Sequence, residues 1–148
     1  MIGVLVLTHG DLGRQFLETA RLIGLDSENC VMTLSIDPSV SPEVLRTRVA
    51  NAVKEVNRGA GVLILTDLFG GTPTNLSLSF LEEGKVEVVT GVNLPMIIKA
   101  VNHRNQCELG RLAEMVAESG KENIFRAGQI LRKRLAKGNH GEKKTTRG

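Results

Sequence analysis

The sequence predicts an α/β domain with an open, mainly parallel sheet and helices on both faces. Two observations carry this prediction. Short runs such as Ile2–Leu7 and Val62–Leu65 are apolar throughout or nearly so, as strands covered on both faces are. Between them the apolar spacing changes to three and four residues, the period of a helix with one buried stripe. Strand–helix alternation of this kind belongs to parallel sheets. A chain of 148 residues fits one domain, and 41% hydrophobic with 24% charged residues is ordinary for a globular one.

Ile2–Leu7 is the first strand. Leu12, Phe16, Ala20 and Ile23 mark a helix stripe that Gly24 ends. Val31–Ile36 reads as a second strand, and Asp37-Pro38-Ser39 breaks the chain. Ser41-Pro42-Glu43 is a helix start, with a capping hydroxyl, a proline and an acid at the positive end. Leu45, Val49, Ala52, Val53 and Val56 follow as its buried face. Val62–Leu65 is the third strand. Thr72-Pro73 opens a short helix reaching about Leu81, and Val86–Thr90 is a fourth strand. Pro95 opens a helix toward His103. Leu109–Ala117 carries another stripe, with Leu112, Met115 and Val116 inward and Ser119-Gly120 closing it. Residues 121–136 read equally as an amphipathic helix or as a short strand and a helix. The folded domain is expected over residues 1–136, with a basic, disordered tail over 137–148.

The bulk composition excludes several classes. No apolar run approaches the roughly 20 residues of a membrane span. The apolar N-terminus lacks a basic leader and a cleavage site, so it reads as a strand rather than a signal peptide. Cys30 and Cys107 have no metal-type spacing and are expected to be free thiols in a reducing cytosol. The net charge is +3, yet residues 132–148 hold seven basic residues against Glu142 alone. That is a local balance of +6, which leaves −3 on the remainder. The basic character therefore belongs to the C-terminal end. Without Trp or Tyr and with four scattered Phe, the chain has no nucleic-acid stacking platform.

Ligands of open parallel sheets bind outside the carboxyl ends of the strands. That rule selects Thr8–Asp11, Thr66–Thr72 and Gly91–Asn93, three loops that could meet at one edge. His9 follows the first strand. Alone, it fits a turn-filling residue as well as a nucleophile. Asp67 holds the equivalent place after the third strand. A carboxylate accepting from imidazole Nδ1–H leaves the Nε2 lone pair free to attack, and it supports the cation that forms. Gly70-Gly71-Thr72-Pro73 supplies a helix start with Thr72 read as the N-cap. Its outward N–H groups and the Thr72 hydroxyl suit a phosphoryl group of about −2 charge.

Other chemistries fit less well. There is no GxxxxGK[ST], no GxGxxG and no metal-ligand spacing, so neither cofactor nor metal is expected. No Trp or Tyr is available to sandwich a flavin. Ser35 and Asp37 could join His9 in a hydrolase-like set, but the G-x-S-x-G elbow is missing. His103 reads as a surface residue, and His140 falls in the tail.

Thr8-His9-Gly10, the run GVLILTDLFGGTPTN from Gly61 to Asn75, and VVTGVNLPM from Val88 to Met96 resemble the IIA domains of the mannose/fructose/sorbose family of bacterial sugar phosphotransferase systems. The likeness covers about residues 1–130. It implies that His9 accepts a phosphoryl group from the phosphocarrier protein HPr and passes it to a IIB protein. Asp67 matches the orienting aspartate. Thr72 matches a Ser/Thr that contacts the phosphoryl group beside Gly70 and Gly71. Leu68 stands where some members have Thr. The resemblance also implies a cytoplasmic homodimer whose subunits exchange a C-terminal antiparallel strand, here near Glu122–Ala127. The IIB partner is expected to be a separate protein. Two other readings remain at this stage: a regulatory phosphoprotein of an incomplete system, and the phosphoryl-donor subunit of a dihydroxyacetone kinase.

Overall fold

The computed structural model describes residues 1–27 and 29–145. Its elements are β1 (Gly3–His9), α1 (Leu12–Leu22), β2 (Val31–Ile36), α2 (Pro42–Val56), β3 (Val62–Thr66), α3 (Thr72–Leu78), β4 (Val86–Val89), α4 (Leu94–His103), α5 (Leu109–Glu122) and α6 (Ala127–Thr145). The four strands form one parallel sheet in the order β2-β1-β3-β4. The chain steps from β1 to one side for β2, then returns across β1 for β3. The switch point of the sheet therefore lies between β1 and β3.

Alternation along the strands divides the core in two. Val4, Val6, Leu63 and Leu65 pack with Leu17, Ala20, Ile97, Leu112 and Val116 on the face of α1, α4 and α5. Leu5, Leu7, Val62 and Ile64 pack with Leu45, Val49, Ala52 and Val56 on the face of α2. All eight of these strand residues are fully buried. Each such side chain stabilises by roughly 1.5–3 kcal/mol, so the aliphatic strands set the architecture.

The predicted helix faces need three corrections. In α1 the buried residues are Gly13, Leu17 and Ala20, with Phe16 partly covered, while Leu12 and Ile23 are exposed. Gly13 lies tight against Thr8 and Val6, which draws that neighbouring stripe onto the sheet. Ser119-Gly120 does not close α5, which runs on to Glu122. Gly120 is a packing residue instead: a Cβ there would fall 2.6 Å from the Met96 sulfur. The third correction concerns α3, which ends at Leu78 rather than Leu81. Ser41 caps α2 as expected, its hydroxyl accepting from the Val44 N–H.

The C-terminal region also differs from expectation. The antiparallel strand near Glu122–Ala127 is not formed, since Glu122 ends α5 and Ala127 opens α6. A strand exchanged with a second copy has no partner inside one chain. Helix α6 continues to Thr145, where a disordered tail from Lys137 was anticipated; residues 146–148 of that tail lie outside the described residues. Ala127–Ala136 has no Pro, and its only Gly lies in the first turn, so helix geometry is unopposed there.

Gly3 tests the packing of β1 against α2. A Cβ at this position would sit 2.4 Å from the Val56 carbonyl oxygen, which is backbone and cannot step aside cheaply. Gly3→Ala should destabilise the fold by about 1–3 kcal/mol, read as a lower urea midpoint with an unchanged slope.

Candidate functional site

The site is built at the switch point, outside the carboxyl ends of β1 and β3. The parallel register pairs Leu7 with Thr66, which places His9 and Asp67 side by side. Asp67 Oδ2 accepts twice from the same residue, from the His9 backbone N–H at 3.0 Å and from ring Nδ1 at 2.9 Å. An ionised carboxylate can only accept, so in the neutral ring this contact favours the tautomer with the proton on Nδ1 and the lone pair on Nε2. The Asp67 side chain is 12% exposed and that of His9 is 39% exposed. A shielded carboxylate thus holds a ring whose far side reaches solvent. The other oxygen, Oδ1, is buried with no hydrogen-bond partner.

The Nε2 side of the ring meets the glycine loop. A Cβ on Gly71 would lie 2.8 Å from His9 Cε1 and 3.3 Å from Nε2. Only a glycine lets the loop approach the ring this closely. Gly70 sits at φ +83°, the left-handed region that turns the chain back toward His9. Gly71, rather than Thr72, is the N-cap of α3, with φ −81° and ψ 171°. Thr72 is the first helical residue and is half-buried, and Pro73 follows it. The N–H groups that open a helix have no carbonyl of their own turn to bond. Gly70, Gly71 and Thr72 thus open α3 beside the ring, with Gly71 nearest its edge.

Two buried threonines missed from the sequence hold this loop. Thr66 and Thr74 share a hydroxyl–hydroxyl hydrogen bond of 2.7 Å, and Thr74 Oγ1 donates to the Leu68 carbonyl at 2.6 Å. Both are fully buried. Thr8 acts similarly at the other loop, accepting the Gly13 N–H at 2.8 Å and fixing how α1 leaves β1. The available signal was a Thr closing each of two otherwise aliphatic strands, where polarity has to be satisfied locally.

Other residues fall away from the chemistry. Gly91-Val92-Asn93 adjoins β3 through the Val92 N–H to Thr66 carbonyl bond, but Asn93 is structural. Its Oδ1 caps α4 at the Met96 N–H, and its Nδ2 donates to the Gly120 carbonyl. Asp37 is engaged by the hydroxyl and N–H of Ser39, which hold its carboxyl below the usual range. It forms no hydrolase set with His9. His103 ends α4, pairing with Gln106 beside Arg104, whose carbonyl accepts from Ile2 at the opposite end of β1. Cys30 and Cys107 are free and partly buried. Among the described residues no cluster of His, Cys, Asp and Glu could hold a metal.

A parallel α/β domain with a carboxylate-held histidine facing a glycine loop defines a class of single-histidine sites at a sheet switch point. The family model described as EIIA-man, PTS system fructose IIA component, matches residues 3–117. The chain belongs to this mannose-type IIA family of the sugar phosphotransferase system. It is 27% identical over 134 residues to a fructose-specific EIIA component of Bacillus subtilis, covering 90% of this chain and 91% of that protein. It is 29% identical to the mannose-specific EIIAB component of Escherichia coli, matching 83% of this chain but spanning only 38% of that protein. Among solved structures, the EIIA component from Streptococcus agalactiae superposes with a TM-score of 0.77 at 28% identity, over 87% of this chain and 99% of that one. The IIA protein associated with the fucose utilisation operon of Streptococcus pneumoniae gives 0.75 at 29% identity, over 87% and 95%.

Two substitutions test the site's construction. Gly71→Ala should push the imidazole off Asp67, seen as a changed tautomer pattern for His9 in nitrogen NMR with far-UV circular dichroism unaltered. Thr74→Val leaves the Leu68 carbonyl and the Thr66 hydroxyl short of a partner. Its stability should fall by about 1–3 kcal/mol in denaturant titration, and Thr74→Ser should recover most of that.

Proposed function

We propose that this chain is a phosphoryl carrier in which His9 takes a phosphoryl group from phospho-HPr and passes it to a IIB component. The observation that carries the reading is the 2.9 Å bond from Asp67 to His9 Nδ1, with Nε2 left beside Gly71. In the transfer, the Nε2 lone pair bonds to phosphorus as the bond to the donor breaks. Positive charge develops on the ring and is met by the Asp67 carboxylate. The phosphoryl oxygens lie against the N–H groups of Gly71 and Thr72 and the Thr72 hydroxyl. Passing the group to IIB reverses these steps and regenerates neutral His9.

The carrier works in the cytoplasm as a homodimer. Ile124 and Phe125, 77% and 63% exposed on the link between α5 and α6, are apolar surface that a second subunit would cover. Among the described residues no helix is long and apolar enough to cross a membrane.

Incubation with labelled phosphoenolpyruvate, enzyme I and HPr tests the reading. Wild type should be labelled in stoichiometric amount, and His9→Ala should take up none; persistent label in that variant would refute the assignment. Asp67→Asn should slow labelling by about a hundredfold or more, because the ring loses both its orientation and its counter-charge.

A further inference from the structure

Helix α6 lies outside both core clusters and away from the His9 site. From Ala127 to Asn139 every residue is exposed except Ile130, which is half-buried. The stretch Arg126–Lys137 holds five cations, Arg126, Arg132, Lys133, Arg134 and Lys137, and no acid. None of the five is ion-paired among the described residues. With a chain total of +3, the residues outside this stretch sum to −2. Leu131 and Leu135 stand one turn apart, 59% and 60% exposed, with Ile130 beside Leu131.

We propose that α6 docks the protein peripherally on an anionic lipid surface. A basic helix with an aliphatic stripe lies in the plane of the headgroups, with its apolar residues at the acyl boundary and its cations among the phosphates. Leu131, Leu135 and Ile130 supply the stripe. Around the helix, Arg132 flanks the stripe on one side, Arg134 sits within it between Leu131 and Ile130, Lys137 lies just beyond Ile130, and Lys133 is on the opposite face. The acidic remainder of the chain is repelled by the same surface, which orients the molecule with α6 toward the bilayer. A nucleic acid would match the charge but offers no place for three aliphatic side chains, and the chain has no Trp or Tyr to stack on bases. A second α6 would bring like charges together. The proposal is independent of the chemistry at His9.

Co-sedimentation of the full chain with vesicles tests it. The comparison is phosphatidylcholine alone against phosphatidylcholine with about 30% phosphatidylglycerol. Binding is expected on the anionic vesicles only, weakening by at least tenfold between about 0.1 and about 0.5 M salt. Lys133→Glu with Arg134→Glu should reduce it by about thirtyfold or more. Leu131→Ser with Leu135→Ser should reduce it by about tenfold or more. Far-UV circular dichroism and the urea midpoint should be unchanged in both double variants, which separates failed docking from a failed fold. Equal binding to both vesicle types, or indifference to either double substitution, overturns the proposal. So does release of the vesicles by duplex DNA, or protection of α6 from hydrogen exchange in a lipid-free dimer. Those two results would assign the helix to nucleic acid or to a second copy.

Discussion

Strand β1 is buried on both faces and paired on both edges, and the rest of the structure depends on that constraint. Val4 and Val6 anchor one helix layer while Leu5 and Leu7 anchor the other. β2 and β3 take its two edges in parallel. A parallel neighbour must return through a crossover, so helices necessarily cover both faces. The central strand also ends where two crossovers diverge, and His9 stands at that divergence.

The site follows from this placement more than from its own interactions. A net hydrogen bond is worth about 1 kcal/mol, whereas each buried strand aliphatic contributes roughly twice that. The Asp67–His9 bonds therefore do not position the strands. They select one tautomer and orientation of a ring that the strands have already delivered. The Thr66–Thr74–Leu68 hydrogen bonds then fix the loop, and Gly71 sets how near it can come. Rigid aliphatic strands bring the groups together, and a few short polar contacts adjust them.

The two ends of the molecule are organised on different terms. Up to Glu122 nearly every helix has a buried stripe, and the family model matches within this part. Beyond it, the described side chains of α6 carry charge and aliphatic groups and, Ile130 apart, lie exposed. Such a helix gains its stability from what it meets outside the chain. An acidic carrier body with a cationic surface helix has a built-in preference for how it faces an anionic partner.

Most of the elements up to Glu122, and which residues gather at the strand ends, were legible in the chain. Apolar runs marked the strands, helical spacing marked α2 almost residue by residue, and His9, Asp67 and Gly70–Thr72 stood out because strand ends are where ligands bind. Periodicity failed by one residue in α1, since tight contact of Gly13 with Thr8 and Val6 decides which stripe faces inward. It also misread Gly120 as a stop, because closeness to Met96 is invisible along the chain. Strand order, and with it the contact of His9 with Asp67, emerged from packing alone. The tertiary structure also showed that buried threonines hold the loop and that Gly71 rather than Thr72 caps α3. These depend on contacts between segments more than fifty residues apart, as His9 and Asp67 are. Local spacing encodes which face of an element is apolar, and only packing of the whole chain determines what that face meets.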